Sequence, residues 1–168
     1  MLVKSSVTGA QILEDVAVRS AAGKYCAPIE TKLCVWSGTK FHPDDLRTCS
    51  LTGLLIHFQF VRSNGNSCLQ ALVDLLDGIK RTTDQSEQWE SIAGRVAVIL
   101  DAGRCRVEAA LLSPDHKRLA LSIEVKTLLG FRVRNAGLIY DIGDAAVIGQ
   151  IVQGRRTSAS GRSIFQQK

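Results

Sequence analysis

Cys34, His42, Cys49 and His57 are the residues of this chain best suited to metal chemistry. Thiolate and imidazole are the ligands zinc prefers, four at a time around a tetrahedral centre. Each of the two cysteines is followed four residues later by a glycine, Gly38 or Gly53, and eight residues later by its histidine. Cys26 is the natural substitute for either histidine, so these five residues form the expected zinc set. A second group is acidic. Glu124-Val125-Lys126 puts a carboxylate and an ammonium on one face of an extended segment, because side chains alternate along a strand. Glu108 lies 16 residues earlier, the separation at which a hairpin returns one strand beside the other. Two carboxylates and a lysine can hold a divalent ion such as Mg²⁺ and activate a water.

The elements that would carry the first group are legible as a repeat. Copies start at Ser5, Ser20, Cys34 and Cys49, with glycine at 9, 23, 38 and 53. Cysteine and histidine are complete only in the last two copies, whereas glycine persists in all of them. Such a glycine suits a turn with φ > 0, so each copy is expected to fold as a tight turn, a strand and a short helical turn. In the third copy that last part is Pro43-Asp44-Asp45-Leu46-Arg47, with Pro at a permissible first helical position and acids at the positive helix end. In the first copy it is Leu13-Glu14-Asp15-Val16.

This pattern resembles a tandem series of zinc-knuckle units of the zinc-ribbon or treble-clef kind, over residues 5–58. The resemblance implies zinc held by Cys34, His42, Cys49 and His57. It is degenerate: Ser37 and Thr52 stand where a C-x-x-C knuckle has its second cysteine, and Ser5 and Ser20 where it has its first. The other reading is a row of metal-free hairpins, with Cys34 and Cys49 as buried thiols and the histidines as satisfied polar groups. On either reading no copy can bury its apolar face alone, so the copies must stack on one another or on the rest of the chain.

Beyond the repeats, Arg62-Ser63-Asn64-Gly65-Asn66-Ser67 is a polar break and the expected domain boundary. Leu69, Leu72, Val73, Leu75, Leu76 and Ile79 recur at helical spacing behind Ser67, which predicts one long helix. A short second helix is expected through Trp89 and Ile92 toward Gly94. From there the period is that of strands: Val96–Leu100, Arg106–Leu112, Leu119–Thr127, Phe131–Arg134, Leu138–Ile142 and Ala146–Val152, the second and third joined by the turn Ser113–Lys117. The expectation is an α+β protein: hairpin or knuckle repeats over 1–62, a helix and an antiparallel meander over 67–153, and a disordered basic tail over 154–168.

The stretch 67–127 resembles the PD-(D/E)xK nucleases through the Glu124-x-Lys126 half of their motif. That resemblance implies a divalent-metal nuclease with Glu108, Glu124 and Lys126 as its catalytic residues and Mg²⁺ as its cofactor. The chain after Lys126 departs from the family, continuing as Leu128-Leu129-Gly130-Phe131 into further β-structure.

Charge favours a different use. The net charge is +5, and residues 132–168 hold six basic residues against two acidic ones. Arg132, Arg134, Arg155 and Arg156 are thus candidates for phosphate contacts, with Trp36 as a platform on which a base could stack. The start Met1-Leu2-Val3-Lys4 leads into polar residues and no apolar run approaches membrane-spanning length, so a cytoplasmic protein is expected. Five cysteines, an odd number, fit reduced thiols or metal ligands better than a disulfide framework. The function expected from sequence is a non-catalytic binding or assembly module for nucleic acid or a nucleic-acid-handling protein, with the nuclease as the alternative.

Overall fold

The computed structural model describes residues 1–62, 66–78, 86–126, 133–155 and 164–166. Each copy of the repeat is an antiparallel hairpin. β1 (Leu2–Lys4) pairs with β2 (Gln11–Leu13), β3 (Val18–Arg19) with β4 (Tyr25–Cys26), β5 (Lys32–Leu33) with β6 (Lys40–Phe41), and β7 (Leu46–Thr48) with β8 (Leu55–His57). Gly9, Gly23, Gly38 and Gly53 close the turns at φ between +69° and +79°, a region open to glycine without steric cost. In every copy the glycine N–H bonds back to the carbonyl of the start residue, at 2.8–3.0 Å. A 3-10 turn follows in copies two to four, Pro28–Glu30, Pro43–Asp45 and Phe58–Phe60, always beginning five residues past the glycine.

One backbone bond recurs between successive copies, except from the second to the third, where the Ala21 N–H reaches the Asp45 carboxylate instead. The N–H after the start residue reaches the carbonyl two residues past the next copy's glycine, from Ser6 to Tyr25 at 2.8 Å and from Val35 to Leu55 at 2.9 Å. The same bond runs from Ser50 to Ser67 at 2.8 Å, and Ser67 stands two residues past Gly65. An isolated bridge pairs Val61 with Leu69, just as Leu46 pairs with His57 in the fourth copy. Helix α1 (Gln70–Leu76) begins five residues past Gly65, where earlier copies have their 3-10 turn. The Val61–Leu69 bridge and the Ser50–Ser67 bond therefore continue the stacking pattern as a fifth copy, with α1 in the place of the 3-10 turn. Residues 63–65 of the polar break lie outside the described residues.

The second half is a five-stranded antiparallel sheet of β9 (Arg104–Leu112), β10 (Arg118–Lys126), β11 (Val133–Asp141), β12 (Ala146–Arg155) and β13 (Ile164–Gln166), in spatial order β13-β12-β11-β10-β9. On one face α1 and the last copies bury Leu72, Leu75 and Leu76, with Cys34, Trp36 and Ile56, against Ala120, Ile139 and Val152. On the other, α2 (Ser86–Ile99) buries Ile92, Ala93 and Val96 against Leu119, Leu121, Ile123 and Leu138. The architecture is α+β, as the sequence implies.

Three expectations are corrected. The longer helix is α2, which runs through Gly94 and absorbs the strand expected at 96–100. Ile92 and Val96 share one helical face, and Val98, on the opposite face, is 82% exposed, so the helical period outweighs the β-branched run. β11 runs unbroken through Asn135-Ala136-Gly137, because the glycine is there for packing and not for a turn: a Cβ on Gly137 would lie 2.8 Å from a methyl of Leu76. The tail begins in order, since β12 extends to Arg155 and β13 pairs with it, Gln153 opposite Gln166; residues 156–163 and 167–168 lie outside the described residues.

Two glycines seat the array on the sheet. Gly149 (φ +71°) lets Gln150 donate its N–H to the Thr52 carbonyl at 2.8 Å. Gly38 lies against the carboxylate of Asp115 in the β9–β10 turn, where a Cβ would collide with it. The array thus occupies the β9–β10 turn end of the sheet and leaves the opposite strand ends clear of this contact.

Candidate functional site

The residues expected to hold zinc have partners of another kind. Cys34 and Cys49 are fully buried, and each sulfur accepts a backbone N–H of the following copy, from His57 at 3.2 Å and from Leu69 at 3.4 Å. At the start of the array a carboxylate does this work. Glu30, closing the second copy's 3-10 turn, accepts the Ser5 hydroxyl and the Ala27 N–H, each at 2.7 Å, together with the Thr8 hydroxyl. Asp45, in the same place one copy later, accepts the Ala21 N–H through both oxygens at 3.1 and 3.2 Å. After Cys34 and Cys49 that place is filled by Phe60 and Leu72. Turn residue and facing residue change together, serine with an acid and cysteine with an apolar side chain, as the array passes into the core.

His42 is 1% exposed. Its Nδ1 accepts the Asp44 N–H at 3.1 Å, which puts the ring proton on Nε2, 3.0 Å from the Ser6 hydroxyl. His57 accepts the Gln59 N–H on Nδ1 at 3.3 Å and lies between Phe41 and Phe58, with ring centroids at 4.0 and 4.4 Å. Burial in this cage lowers its pKa. The Cys26 thiol is pushed up by burial and then by the charge of Glu30, which favours the neutral form. Among the described residues no three of His, Cys, Asp and Glu converge where one ion could join them.

The acidic group is not assembled either. Glu124 pairs across the sheet with Arg106, not with Glu108. The β9–β10 register shifts at Ser122/Ile123, with Ser122 opposite Ala109 and Ile123 opposite Val107, so Glu108 is the extra residue of a bulge. The expected pairing of Glu108 with Glu124 is thereby corrected: the register ahead of the bulge would already set Val107 opposite Glu124, and the bulge moves the partner on to Arg106. The Lys126 ammonium lies 3.3 Å from Glu124 as an ion pair.

What the strand ends do gather is positive charge. Arg104 pairs opposite Lys126 and Arg106 opposite Glu124, and with Cys105 they line a cleft of about 140 Å³. Among the described residues neither Arg104 nor Arg106 is in an ion pair. Burial pushes the Cys105 thiol up, so it stays neutral beside them. At the same end Arg134 lines a second cavity of about 200 Å³ with Leu100, Asp101, Asn135 and Gln153. Arg155 follows Gly154, which pairs with Asn135, so Arg134 and Arg155 occupy neighbouring positions on adjacent strands. Arg132 and Arg156 lie outside the described residues. Trp36 is 5% exposed within the core, which removes it as a stacking platform.

The opposite end of the sheet carries Asp115 and Asp141 beside Arg118. Arg118 there bonds Asp115 at 2.8 Å and lies 3.5 Å from Asp141. Arg104 and Arg106 were missed in the sequence because the segment balances in net charge; their i, i+2 spacing at the start of a strand was the available signal. No protein-family model, curated protein or solved structure matched the chain, and among the described residues no helix is long and apolar enough to cross a membrane.

Proposed function

We propose that this chain is a non-catalytic binding module that takes nucleic acid, or a nucleic-acid-handling partner that presents comparable negative charge, on the basic strand ends of its sheet. The observation that carries this reading is the cleft of Arg104, Arg106 and Lys126, with two guanidinium groups left without a carboxylate partner among the described residues. Guanidinium groups held on a rigid sheet are pre-organised for phosphate oxygens. Each phosphate they neutralise releases counterions, so such contacts gain free energy from the mixing entropy of the released ions. Arg134 extends the same charge to a further strand. The knuckle-like array then acts as a scaffold, sealing one face of the sheet and seating its opposite end.

The test is fluorescence anisotropy of labelled RNA and DNA oligonucleotides titrated with the full chain at several salt concentrations. Binding that weakens linearly in log salt, with a slope reduced by about 1 in Arg106→Ala, fits the reading. No binding of either nucleic acid at low salt, or binding indifferent to Arg104→Ala and Arg106→Ala together, would refute it.

A further inference from the structure

The two cavities at the basic strand ends lie back to back on the sheet. Side chains alternate along β10, so Glu124 and Lys126 share the face of Ala120, which packs with α1, while Val125 shares the face of Ile123, which packs with α2. Across the ladder Arg104 and Arg106 stand opposite Lys126 and Glu124, and Arg134 stands opposite Val125. The cleft of Arg104 and Arg106 is therefore on the α1 face, and the cavity of Arg134 on the α2 face. One short segment reaches both: Asp101 and Ala102 line the cavity and Arg104 the cleft, and three residues of chain span at most about 11 Å.

The cavity differs in character from the cleft. Leu100, Val125 and Ala136 give it apolar walls, and its polar side chains are Asp101, Arg134 and Gln153. Among the described residues none of these three side chains is in an ion pair or a hydrogen bond, so a carboxylate and a guanidinium line one space without meeting. Asp101 stands there at a local cost. It ends α2 at φ +48°, its N–H on the Val98 carbonyl at 3.3 Å and the Ala102 N–H on that of Ala97 at 2.9 Å, a position glycine usually fills. Its carboxylate also adds to the negative end of the helix.

We propose that this cavity is a nucleobase pocket, taking guanine from a single-stranded nucleic acid whose phosphates lie in the cleft of Arg104, Arg106 and Lys126. The inference rests on the nucleic-acid reading and names the form of ligand that reading leaves open. A phosphate suits the cleft but not the cavity, where Asp101 would repel it and apolar walls would desolvate it. At about 200 Å³ the cavity is smaller than the pockets of drug-sized ligands and matches a single ring system. Guanine alone among the bases sets two N–H donors side by side on one edge, for the two oxygens of a carboxylate, and the acceptors O6 and N7 on another, for a guanidinium. A single strand can turn past the segment from Asp101 to Arg104 and splay a base onto the far face of the sheet. The paired bases of a duplex cannot do so without unstacking.

Fluorescence anisotropy of the full chain with labelled oligouridylates tests it, each strand carrying one guanine or one adenine at its centre, alone or annealed to its complement. The single strand with guanine should bind roughly 5-fold or more tighter than the strand with adenine, and tighter than either duplex. Asp101→Gly should bring the two single strands to equal affinity while the protein melts no earlier, because glycine relieves the positive φ as it removes the carboxylate. Arg134→Ala should also level them. Arg104→Ala together with Arg106→Ala should weaken both strands and keep their ratio. Equal, salt-dependent binding of the two strands by the wild-type chain would overturn the pocket and leave the cleft standing. A guanine preference that survives Asp101→Gly and Arg134→Ala, or a duplex bound as tightly as its single strand, would overturn it too. Absence of any binding at low salt would remove both the pocket and the nucleic-acid reading.

Discussion

The Cys34 sulfur accepts the backbone N–H of His57 at 3.2 Å, across the boundary between two copies of the repeat. A thiol in that role needs no metal partner to explain its burial, because it satisfies a donor that would otherwise be orphaned inside an apolar cluster.

Cys34→Ala is expected to lower stability by about 1–3 kcal/mol, since it strands the His57 N–H without an acceptor. Cys34→Ser keeps an acceptor and should cost less. Urea unfolding of the three proteins measures both differences. Excess chelator should leave each transition midpoint where it was; a midpoint that falls with chelator, or zinc found at one per chain, would assign the sulfur to a metal instead.

The Ser5–Glu30 contact predicts an acid-sensitive seam between the first two copies. The Thr8 hydroxyl, then the Ser5 hydroxyl and the Ala27 N–H, hold the Glu30 carboxyl below its ordinary value of 4.5. A carboxyl with a depressed folded-state pKa contributes stability that is fully present above the unfolded value and is lost as pH falls through the folded one. Hydrogen exchange in residues 1–16 should therefore accelerate as pH falls below about 4.5, after correction for the intrinsic rate, while α1 stays protected. In Glu30→Gln that added acid sensitivity should vanish.

Three glycines of similar appearance in the sequence should answer an alanine substitution differently. Gly38 has φ +69° and a carboxylate where its Cβ would go, and Gly149 has φ +71° with the Thr52 carbonyl oxygen at 2.5 Å from the same point. Gly38→Ala and Gly149→Ala should each destabilise by about 1–3 kcal/mol, the cost of a strained backbone and a displaced docking contact. Gly94 lies in α2 with open space around it. Gly94→Ala should stabilise by about 0.5–1 kcal/mol through helix propensity. Thermal or urea unfolding reads the opposite signs directly.

The repeat was legible because each copy must satisfy the same backbone demand, a positive-φ turn four or so residues into the unit, and only glycine meets it cheaply. The α+β class and the hairpin around Ser113–Lys117 followed from period and turn chemistry in the same local way. What the sequence hid is tertiary. The fifth copy has α1 where the others have a 3-10 turn, so its kinship with them shows in the bonds from Ser50 to Ser67 and from Leu69 to Cys49 and in the Val61–Leu69 bridge. Gly137 looks like a turn residue until Leu76 is seen against it. The basic cleft was equally hidden, because Arg104 and Arg106 meet Lys126 only through the β9–β10 register, and a bulge at Glu108 sets that register.

The same bulge gives the last prediction. Glu124 stands opposite Arg106 and holds Lys126 at 3.3 Å, so it is the one carboxylate among the cleft residues and opposes an incoming phosphate. Glu124→Gln removes that charge and frees Lys126 to join Arg104 and Arg106. Affinity for oligonucleotides at low salt should rise by about 3- to 10-fold, with a steeper salt dependence. Glu108→Gln, whose carboxyl lies outside the cleft lining, should change affinity much less. A hydrolytic centre would behave in the opposite way, since losing the Glu124 carboxylate would abolish a Mg²⁺-dependent cleavage that the wild-type chain displays. Incubating both proteins with plasmid DNA and Mg²⁺ alongside the binding titration separates the two: tighter binding with uncut plasmid supports an electrostatic brake, and wild-type nicking lost in Glu124→Gln would restore the nuclease reading.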